Sequence, residues 1–256
     1  MKGRNALITG ASFGIGFAIA RAFAKAGANV AITARRPEPL ENAKREIEKV
    51  AQTRIVAIAG DVSKAGDCER IFKEASSALG YVDVLVNNAG SSQTGKFEEI
   101  TDEIWQADLD LKLFAAIRLT RQAFPVMKAR RSGRVINILN TAAKAPDAGR
   151  APTAVTRAAG MALTKVLAGE GAPHNVLVNA LLVGRIESDQ WVRRHANEKQ
   201  NRPIEEYYAE IGKNIPMGRV GTAEEFANMA LFLASDAGSY VTGTAINVDG
   251  GLCPVV

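Results

Sequence analysis

The chain is poor in the residues that build disulfide frameworks and metal centres. Its 256 residues include two cysteines, Cys68 and Cys253, and two histidines, His174 and His195. The cysteines show neither the paired spacing of a secreted disulfide scaffold nor the spacing of metal ligands. We therefore expect no disulfide framework and no metal site.

Long apolar runs and aromatic residues are also scarce. No apolar run approaches the ~18 residues that a membrane span requires, and the first strand is preceded by no apolar leader, so we expect a cytoplasmic protein with no membrane partner. Aromatic residues form 6% of the chain, too few for a surface that stacks nucleic-acid bases. The formal charge of +5 suits a phosphorylated cofactor or an acidic substrate as readily as nucleic acid. Nucleic-acid binding is therefore the weakest interpretation.

What the chain does have is an alternation of buried strands and amphipathic helices over its whole length. No linker rich in Pro, Gly or Ser divides it, and 256 residues can bury one full core. Nearly continuous apolar runs predict strands at Ala6–Thr9, Val30–Ala34, Arg54–Ala59, Val84–Asn87, Arg134–Ile138, Val176–Leu182 and Ala245–Val248. Helical spacing predicts helices at Gly14–Lys25, Leu40–Val50, Ala65–Leu79, Asp102–Arg130, Pro152–Gly169 and Ala223–Ser235. The alternation predicts a single α/β domain over residues 1–256, a doubly wound Rossmann-type fold with a parallel seven-stranded sheet.

A glycine-rich turn follows the first predicted strand. The chain reads Thr9-Gly10-Ala11-Ser12-Phe13-Gly14-Ile15-Gly16 and then opens a helix. Glycines remove the Cβ atoms that would block a pyrophosphate, and a helix N-terminus offers free N–H groups and a positive dipole end. The turn therefore predicts a dinucleotide site, with a tight structural turn as the alternative.

The residues after the next three strands fit the same ligand, because ligands of such sheets bind beyond the carboxyl ends of the strands. Arg35 and Arg36 follow the second strand, where a guanidinium pair suits the 2′-phosphate of NADP(H). Two solvated arginines at a helix entry are the alternative. Asp61 follows the third strand and offers a carboxylate to adenine. The small, polar stretch Asn87-Asn88-Ala89-Gly90 follows the fourth, as a chain passing beneath a cofactor would.

With these stretches in place, the chain resembles the short-chain dehydrogenase/reductase family from Met1 to Gly251. The tail, with Ile215–Val220 and Val241–Gly243, is most similar to the 3-oxoacyl-carrier-protein reductase group. The resemblance implies a nicotinamide oxidoreductase, usually a homotetramer. The matching motifs are Thr9–Gly16, Asp61-Val62, Asn87–Gly90, Val178-Asn179-Ala180, Gly184 with Ile186 and Ser188, Pro216–Gly221 and Tyr240–Gly243.

The resemblance also implies which residues hold NADP(H). The glycine-rich turn would hold phosphate and ribose, Arg35 with its neighbour Arg36 the 2′-phosphate, and Asp61 and Val62 the adenine. The residues expected on the turn are Gly10, Ser12, Phe13, Gly14, Ile15 and Gly16. Those expected at the nicotinamide half are Asn87, Ala89, Arg157, Gly184, Ile186 and Ser188, with Asn88 and Gly90 shaping the loop.

The four residues that carry the family's chemistry are all replaced in this chain. The resemblance implies a Tyr that protonates the carbonyl oxygen, a Lys four residues later, a Ser that orients the carbonyl and an Asn in the preceding helix. Thr153 stands at the Tyr position, Arg157 at the Lys position, Asn140 at the Ser position and Lys112 at the Asn position.

These replacements differ in their chemical consequences. Asn140 can still donate to an oxyanion, and Arg157 can still hold a ribose diol, although it cannot shuttle protons. Thr153 is far less acidic than a phenol of pKa ~10 and needs a neighbouring donor. A lysine at position 112, beside Arg157 and a nicotinamide cation, would have a lowered pKa, and we predict that Lys112 is the replacement donor. A lysine that only forms a salt bridge or fills the emptied space is the alternative.

The segment Ser188–Asn214 is longer and more polar than a simple crossover needs. We expect a helical substrate lid over about residues 188–214, with a solvated amphipathic hairpin as the alternative and His195 at the surface. Lys144, Tyr207 and Tyr208 are further candidates to reach the pocket. The segment also carries Trp191, Arg193 and Arg194.

Two kinds of macromolecular partner are considered. Carrier-protein reductases dock their acidic partner near a basic run such as Lys128–Arg134, but cations at a helix C-terminus need no partner. The second basic position expected before Val176 reads Ala172-Pro173-His174-Asn175, so the sequence gives little support for an acyl carrier protein. Apolar residues that could pair across a two-fold axis in a homotetramer, or face the sheet instead, are Phe114, Ile117, Met161 and Leu163.

Two functions therefore compete. The first is an NADP(H)-dependent oxidoreductase that acts on a small carbonyl or secondary-alcohol substrate. The second is a catalytically inactive nucleotide-binding relative that acts as a sensor or scaffold.

Overall fold

A computed structural model of the chain describes residues 1–188, 191–192, 195–196 and 203–256. The described strands are β1 Asn5–Thr9, β2 Asn29–Ala34, β3 Ile55–Ala59, β4 Val84–Asn87, β5 Thr94–Gly95, β6 Gly133–Asn140, β7 Ala151–Pro152, β8 Val176–Val183 and β9 Ala245–Val248. Seven parallel strands form the main sheet in the order β3-β2-β1-β4-β6-β8-β9, which confirms the doubly wound prediction. A separate antiparallel pair joins β5 and β7.

Helices cover both faces of the sheet, because the strands are apolar on both sides. The described helices are α1 Gly14–Lys25, α2 Pro37–Glu48, α3 Ala65–Leu79, α4 Asp102–Leu109, α5 Ala115–Arg130, α6 Thr153–Gly171, α7 Ile204–Gly212 and α8 Ala223–Ala234. On one face α1 and α8 pack together through residues such as Phe23, Phe226 and Leu233. On the other, α3 and α5 pack through Ile71, Leu119 and their neighbours.

The helical segment predicted over Asp102–Arg130 begins and ends at those residues, but it is not α-helical throughout. A π-helical turn, Asp110–Phe114, separates α4 from α5 and contains Lys112. Single π-helical turns inside α-helices occur frequently at functional sites, because the wider turn redirects side chains. The interruption therefore lies at the position where the sequence places its replacement donor.

Several other boundaries differ from the predictions by a few residues. Helix α2 begins at Pro37 rather than Leu40, because a proline in the first turn lacks only an N–H that has no helical partner there. The basic run Lys128–Arg134 extends past the end of α5. Arg131 takes the left-handed conformation with φ 50°, and Arg134 is a buried residue of β6.

No helix in the described ranges is long and apolar enough to cross a membrane. The carboxyl ends of β1, β2, β3, β4 and β6 meet at one edge of the sheet, which is where ligands of doubly wound sheets bind.

Candidate active site

The glycine-rich turn is clamped between two neighbouring loops. The Gly10 and Ala11 N–H groups donate to the Thr33 carbonyl at 2.8 and 3.2 Å. The Asn88 amide donates to the Thr9 and Gly10 carbonyls at 2.8 and 3.0 Å. Gly10 has φ +65°, and a Cβ there would lie 2.8 Å from the Ala89 Cα atom. The close approach of the two loops therefore requires glycine at position 10.

The N-terminus of α1 suits a phosphate group. Phe13, the N-cap residue, is extended, no side chain in the described part of the chain caps the helix, and its first turn holds no acidic residue. The N–H groups at a helix N-terminus and the positive end of the helix dipole favour an anion. Ser12 and Ile15 are half-buried at this turn, and Gly16 is buried. These residues fit the pyrophosphate that the sequence predicts here.

The two arginines after β2 are exposed beside the same turn. The Arg36 guanidinium carbon lies 5.7 Å from the centre of the Phe13 ring, within the range of a cation–π contact. After β3, the Asp61 carboxylate accepts hydrogen bonds from the Ser63 N–H at 3.1 Å and the Ser63 hydroxyl at 2.8 Å. These bonds fix the orientation of the Asp61 carboxylate. The side chain of Val62 belongs to the core at 5% exposure.

The Asn87 side chain points into the domain interior. Its amide donates to Asn137 Oδ1 at 2.9 Å and to Thr120 Oγ1 at 3.3 Å. The Ala89 N–H donates to Thr9 Oγ1 at 2.9 Å. A Cβ at Gly90 would lie 2.7 Å from Arg157 Nη2, so glycine lets the loop pass over that guanidinium.

Lys112 and Thr153 meet in a buried cluster with Asp108. The Lys112 ammonium forms a short ion pair with Asp108 Oδ1 and donates to Thr153 Oγ1 at 2.7 Å. The side chains of Lys112 and Asp108 are 1% and 2% exposed, and Thr153 is 4% exposed. The Thr153 hydroxyl also accepts from the Gln93 N–H at 2.9 Å. We call Asp108, Lys112 and Thr153 the buried cluster.

The electrostatics of the buried cluster favour loss of a proton from lysine. Burial lowers the pKa of Lys112 from 10.5 to about 8, and the nearby positive charge of Arg157 acts in the same direction. The hydrogen bond and negative charge of Asp108 oppose both effects. Burial also lowers the pKa of Arg157, to about 10. At pH 7 Lys112 is therefore charged, but near enough to its pKa to exchange a proton.

Arg157 and Asn140 lie outside the hydrogen bonds of the buried cluster. Arg157 donates through Nη1 to the Ile138 carbonyl in a short hydrogen bond, and its Nε atom is buried without a partner in the described part of the chain. Asn140 ends β6, and its Oδ1 atom is likewise buried and unpartnered within the described ranges. Of the four replaced residues, the structure thus joins Lys112 and Thr153 by a hydrogen bond and places Arg157 next to them.

The residues after β8 that are predicted to contact the nicotinamide mostly make packing contacts within the protein. A Cβ at Gly184 would lie 2.5 Å from the Asp249 Cα atom, so the C-terminal segment packs closely on it. Ile186 is 4% exposed and bridges to Gly221. Ser188 is half-buried, and its carbonyl accepts from the Trp191 N–H at 3.0 Å.

The predicted lid lies only partly within the described residues. Helix α7 falls inside it, whereas Arg193 and Arg194 lie outside the described residues. The Tyr207 ring is 6.2 Å from that of Trp191 and 5.3 Å from that of His195, centre to centre. This packing leaves His195, expected at the surface, half-buried rather than fully exposed.

The three further candidates, Lys144, Tyr207 and Tyr208, are accounted for by their contacts. The Lys144 ammonium donates to the Ala245 carbonyl at 2.7 Å, which holds it against β9. Tyr207 is 7% exposed, so its ring is a packing element of the segment. Tyr208 packs beside Tyr207 at 6.4 Å between ring centres, and burial raises the pKa of its phenol.

Sequence reasoning missed Asp108 and Gln93. Asp108 precedes Lys112 by four residues, and opposite charges at this spacing face each other on a helix. That spacing was the available signal. The Gln93 contact is made by the backbone N–H of a loop residue, so no residue type in the sequence indicates it.

Comparison with known proteins gives consistent matches over the whole chain. A family profile described as enoyl-(acyl carrier protein) reductase matches residues 10–253. The NADPH-dependent reductase BacG of Bacillus subtilis (strain 168) is 35% identical over 254 residues, 98% of each chain. The 3-oxoacyl-[acyl-carrier-protein] reductase FabG of Aquifex aeolicus (strain VF5) is 33% identical over 252 residues, again 98% of each chain. The L-sorbose reductase of Gluconobacter frateurii, solved with NADPH and L-sorbose, is similar with a TM-score of 0.95 at 34% identity, covering 100% of this chain and 98% of that chain.

Proposed function

The chain belongs to the short-chain dehydrogenase/reductase family of NAD(P)H-dependent oxidoreductases, and from that membership we propose that it is an NADP(H)-dependent reductase of a small carbonyl substrate. The reverse oxidation of a secondary alcohol uses the same groups. The observation that carries the proposal is the 2.7 Å hydrogen bond from the Lys112 ammonium to the Thr153 hydroxyl.

The residues present fit NADP(H). The uncapped N-terminus of α1 and the turn from Gly10 to Gly16 would hold the pyrophosphate. Arg35 and Arg36 would hold the 2′-phosphate, since guanidinium groups bind phosphate in paired, charge-assisted hydrogen bonds. Asp61 with Val62 would border the adenine. Residues proposed at the nicotinamide half are Asn87, Ala89, Gly90, Arg157, Gly184, Ile186 and Ser188. When bound, the nicotinamide supplies or accepts a hydride.

Thr153 and Lys112 together can supply the proton that carbonyl reduction consumes. The Thr153 hydroxyl gives its proton to the substrate oxygen and takes one from Lys112, so the threonine never has to exist as an alkoxide. The bond from Thr153 to Asp108 Oδ1 is long, at 3.5 Å, so this hydroxyl hydrogen is weakly held. Lys112, with a pKa of about 8, meets the requirement that a general acid titrate near the operating pH.

Asn140 and Arg157 have supporting roles in this proposal. Asn140 ends β6, and its side-chain amide can donate to an oxyanion that develops on the substrate. Arg157 keeps its positive charge at every relevant pH, because even its lowered pKa is about 10. It can bind a ribose hydroxyl and hold down the pKa of Lys112, but it cannot exchange a proton itself.

The proposed substrate class is taken from the substrates of two relatives. L-sorbose reductase was solved with a ketose, and the Aquifex enzyme is named for a 3-oxoacyl substrate. For this chain we propose a free small-molecule ketone or ketose. Arg134 of the basic run Lys128–Arg134 is 3% exposed, and Arg130 stacks 3.6 Å from the centre of the Tyr81 ring, so the run offers few free cations to an acyl carrier protein.

A second function is favoured by one observation. The buried cluster is nearly inaccessible, and the Gln93 N–H occupies the Thr153 hydroxyl at 2.9 Å. Thr153 is 4% exposed and therefore offers little surface to a substrate oxygen. A chain that keeps the Gln93 contact would bind the cofactor without turnover and act as a sensor or scaffold.

The test is a titration with NADPH and NADH, followed by absorbance of the reduced nicotinamide with ketoses, ketones, quinones and 3-oxoacyl thioesters. Tighter binding of NADPH with turnover supports the reductase. Binding without turnover across the panel supports the sensor or scaffold. Failure to bind either dinucleotide overturns both.

A further inference from the structure

One arginine on α5 contacts both the loop after β3 and the π-helical turn. Arg118 donates through Nη1 to the Ser63 carbonyl at 2.8 Å and through Nη2 to Asp110 Oδ1 at 2.8 Å. Its guanidinium carbon lies 5.2 Å from the centre of the Phe114 ring. The side chains of Arg118 and Asp110 are 23% and 25% exposed, so the protein partly shields these contacts from solvent. A single guanidinium therefore joins two parts of the candidate site that are distant in sequence.

On one side, the contact holds the residues that would border adenine. We call residues 61–63 the adenine loop. The Ser63 N–H and hydroxyl both donate to the Asp61 carboxylate, while the Ser63 carbonyl accepts from Arg118. A hydrogen bond from a charged donor is stronger than one from a neutral donor. Arg118 therefore restricts the Ser63 peptide group and, through it, Asp61.

On the other side, the contact depends on the π-helical turn itself. Asp110 begins the turn and Phe114 ends it, and Arg118 lies eight residues after Asp110. Eight residues of a regular α-helix turn through about 800°, which would leave the two side chains about 80° apart around the axis. The i→i+5 turn holds one extra residue, which removes about 100° and leaves them about 20° apart. The Asp110–Arg118 ion pair therefore favours a helix whose extra residue lies between them.

The position of that extra residue decides where Lys112 points. Lys112 lies inside the π-helical turn and donates to Thr153 from there. If the extra residue moved along the helix past Lys112, this side chain would rotate by about 100° around the axis and leave the buried cluster. The contacts that hold the turn in place therefore also hold the ammonium group on Thr153.

We propose that Arg118 is a positioning residue that couples the adenine loop to the π-helical turn carrying Lys112. It acts through Ser63 and Asp110 rather than on the substrate. A ligand that orders the adenine loop then also orders the turn, and the converse holds because coupling between two binding events is reciprocal. This inference rests on the proposed function, which supplies the identity of the ligand at the adenine loop.

The test combines amide hydrogen exchange of the whole protein with 2′,5′-ADP, which carries the adenosine half of NADP(H) and lacks the nicotinamide. We expect saturating 2′,5′-ADP to slow exchange in Asp110–Phe114 roughly fivefold or more in the wild type. Arg118→Met should abolish this slowing and weaken 2′,5′-ADP binding by a similar factor, because the coupling is reciprocal. Arg121→Met removes an exposed arginine from the same helix and should behave as the wild type does.

The outcomes separate this proposal from the proposed function. If 2′,5′-ADP binds but slows exchange in the turn equally in the wild type and Arg118→Met, or in neither, the coupling is overturned and the cofactor assignment stands. If the wild type does not bind 2′,5′-ADP, both are overturned. Asp110→Ala replaces Arg118→Met if the latter does not fold. It keeps the Ser63 contact and should still lose the slowing in the turn, and retention of the slowing overturns the coupling.

Discussion

At position 112 an ammonium group lies in the protein interior between a carboxylate and a hydroxyl. Its side chain is 1% exposed, and burial lowers the pKa of Lys112 to about 8 from the ordinary 10.5. A group whose pKa falls on folding binds fewer protons in the folded state than in the unfolded state between those two values. Stability therefore rises with pH across that window.

This titration is measurable in the folding equilibrium. Relative to the doubly neutral variant Asp108→Asn/Lys112→Met, we expect the wild-type protein to gain stability from about pH 8 to pH 10.5. The gain has an upper bound on the order of 3 kcal/mol, since each pKa unit corresponds to about 1.4 kcal/mol. Urea unfolding at pH 7, 8.5 and 10 measures it. Lys165→Met removes an exposed lysine and should leave the pH dependence of stability as it is in the wild type. If the stability difference between wild type and the double variant does not change with pH, the pKa of Lys112 is not lowered.

The arginines after β2 make a prediction about the cofactor. Replacing Arg35 and Arg36 together with alanine should weaken NADPH binding roughly 10-fold or more, because a charge-assisted hydrogen bond contributes about 1.5–3 kcal/mol. NADH binding should change little, since it lacks the 2′-phosphate. Calorimetry of both cofactors gives the ratio. Arg45→Ala removes one exposed charge from helix α2, which follows the two arginines, and is the control. An equal loss for both dinucleotides would argue against 2′-phosphate recognition.

At the scale of elements, the α4–α5 junction determines how the buried cluster forms. Asp108 ends the last turn of α4, and Lys112 lies in the π-helical turn that follows. The pair is buried, so removing one partner leaves an uncompensated charge.

Asp108→Asn should therefore lower the free energy of unfolding by about 3–5 kcal/mol at pH 7. Asp110→Asn is the matched control, because Asp110 pairs with Arg118 at 2.8 Å in a partly exposed position, where an ion pair contributes about 1 kcal/mol or less. Adding Lys112→Met to Asp108→Asn should restore much of the loss. Equal effects of the two aspartate substitutions in urea unfolding would show that the buried pair is unimportant.

The same junction shows how far the sequence can predict the elements. Strands such as β6 and β8 could be located because strands buried on both faces have continuous apolar sequences. The ends of the strands then located the glycine-rich turn, Arg35 and Asp61. The π-helical turn could not be located, because its residues keep helical spacing on either side and only tertiary packing widens the turn.

The candidate site, like the helices and strands, could be predicted from the sequence only in part. Position 112 could be identified by resemblance, and its lowered pKa could be anticipated from Arg157. The hydrogen bond to Thr153 joins residues 41 positions apart, and the Gln93 contact involves only backbone. Neither has a local signal in the sequence.

At the scale of the whole molecule, α6 offers an apolar stripe that a single chain leaves exposed. Val155 and Val166 are 55% and 59% exposed, and their spacing of eleven residues places them on one face of the helix. Phe114, at 38% exposure, also faces outward, whereas Met161 packs partly against the core. Exposed apolar stripes of this kind commonly mark interfaces between subunits.

We expect a homotetramer of 27.2 kDa chains with α6 in one of its interfaces. Val155→Glu/Val166→Glu should reduce the mass measured by light scattering to that of a dimer or monomer, because buried like charges at an interface are unfavourable. Val155→Thr/Val166→Thr preserves shape and should stay closer to wild type. A tetramer that survives the glutamates would exclude α6 from the interfaces.

If Lys112 supplies the catalytic proton through Thr153, the loss of that proton must appear in the rate. We would measure the pH dependence of kcat for carbonyl reduction, in wild type and Lys112→Met, with any substrate that is turned over. We predict that the wild-type rate falls as pH rises through about 8, where Lys112 loses its proton. Lys112→Met should be slower by about 10²–10⁴-fold and lack that transition. An undiminished rate in Lys112→Met, with the same pH profile as wild type, would show that Lys112 is not the proton donor.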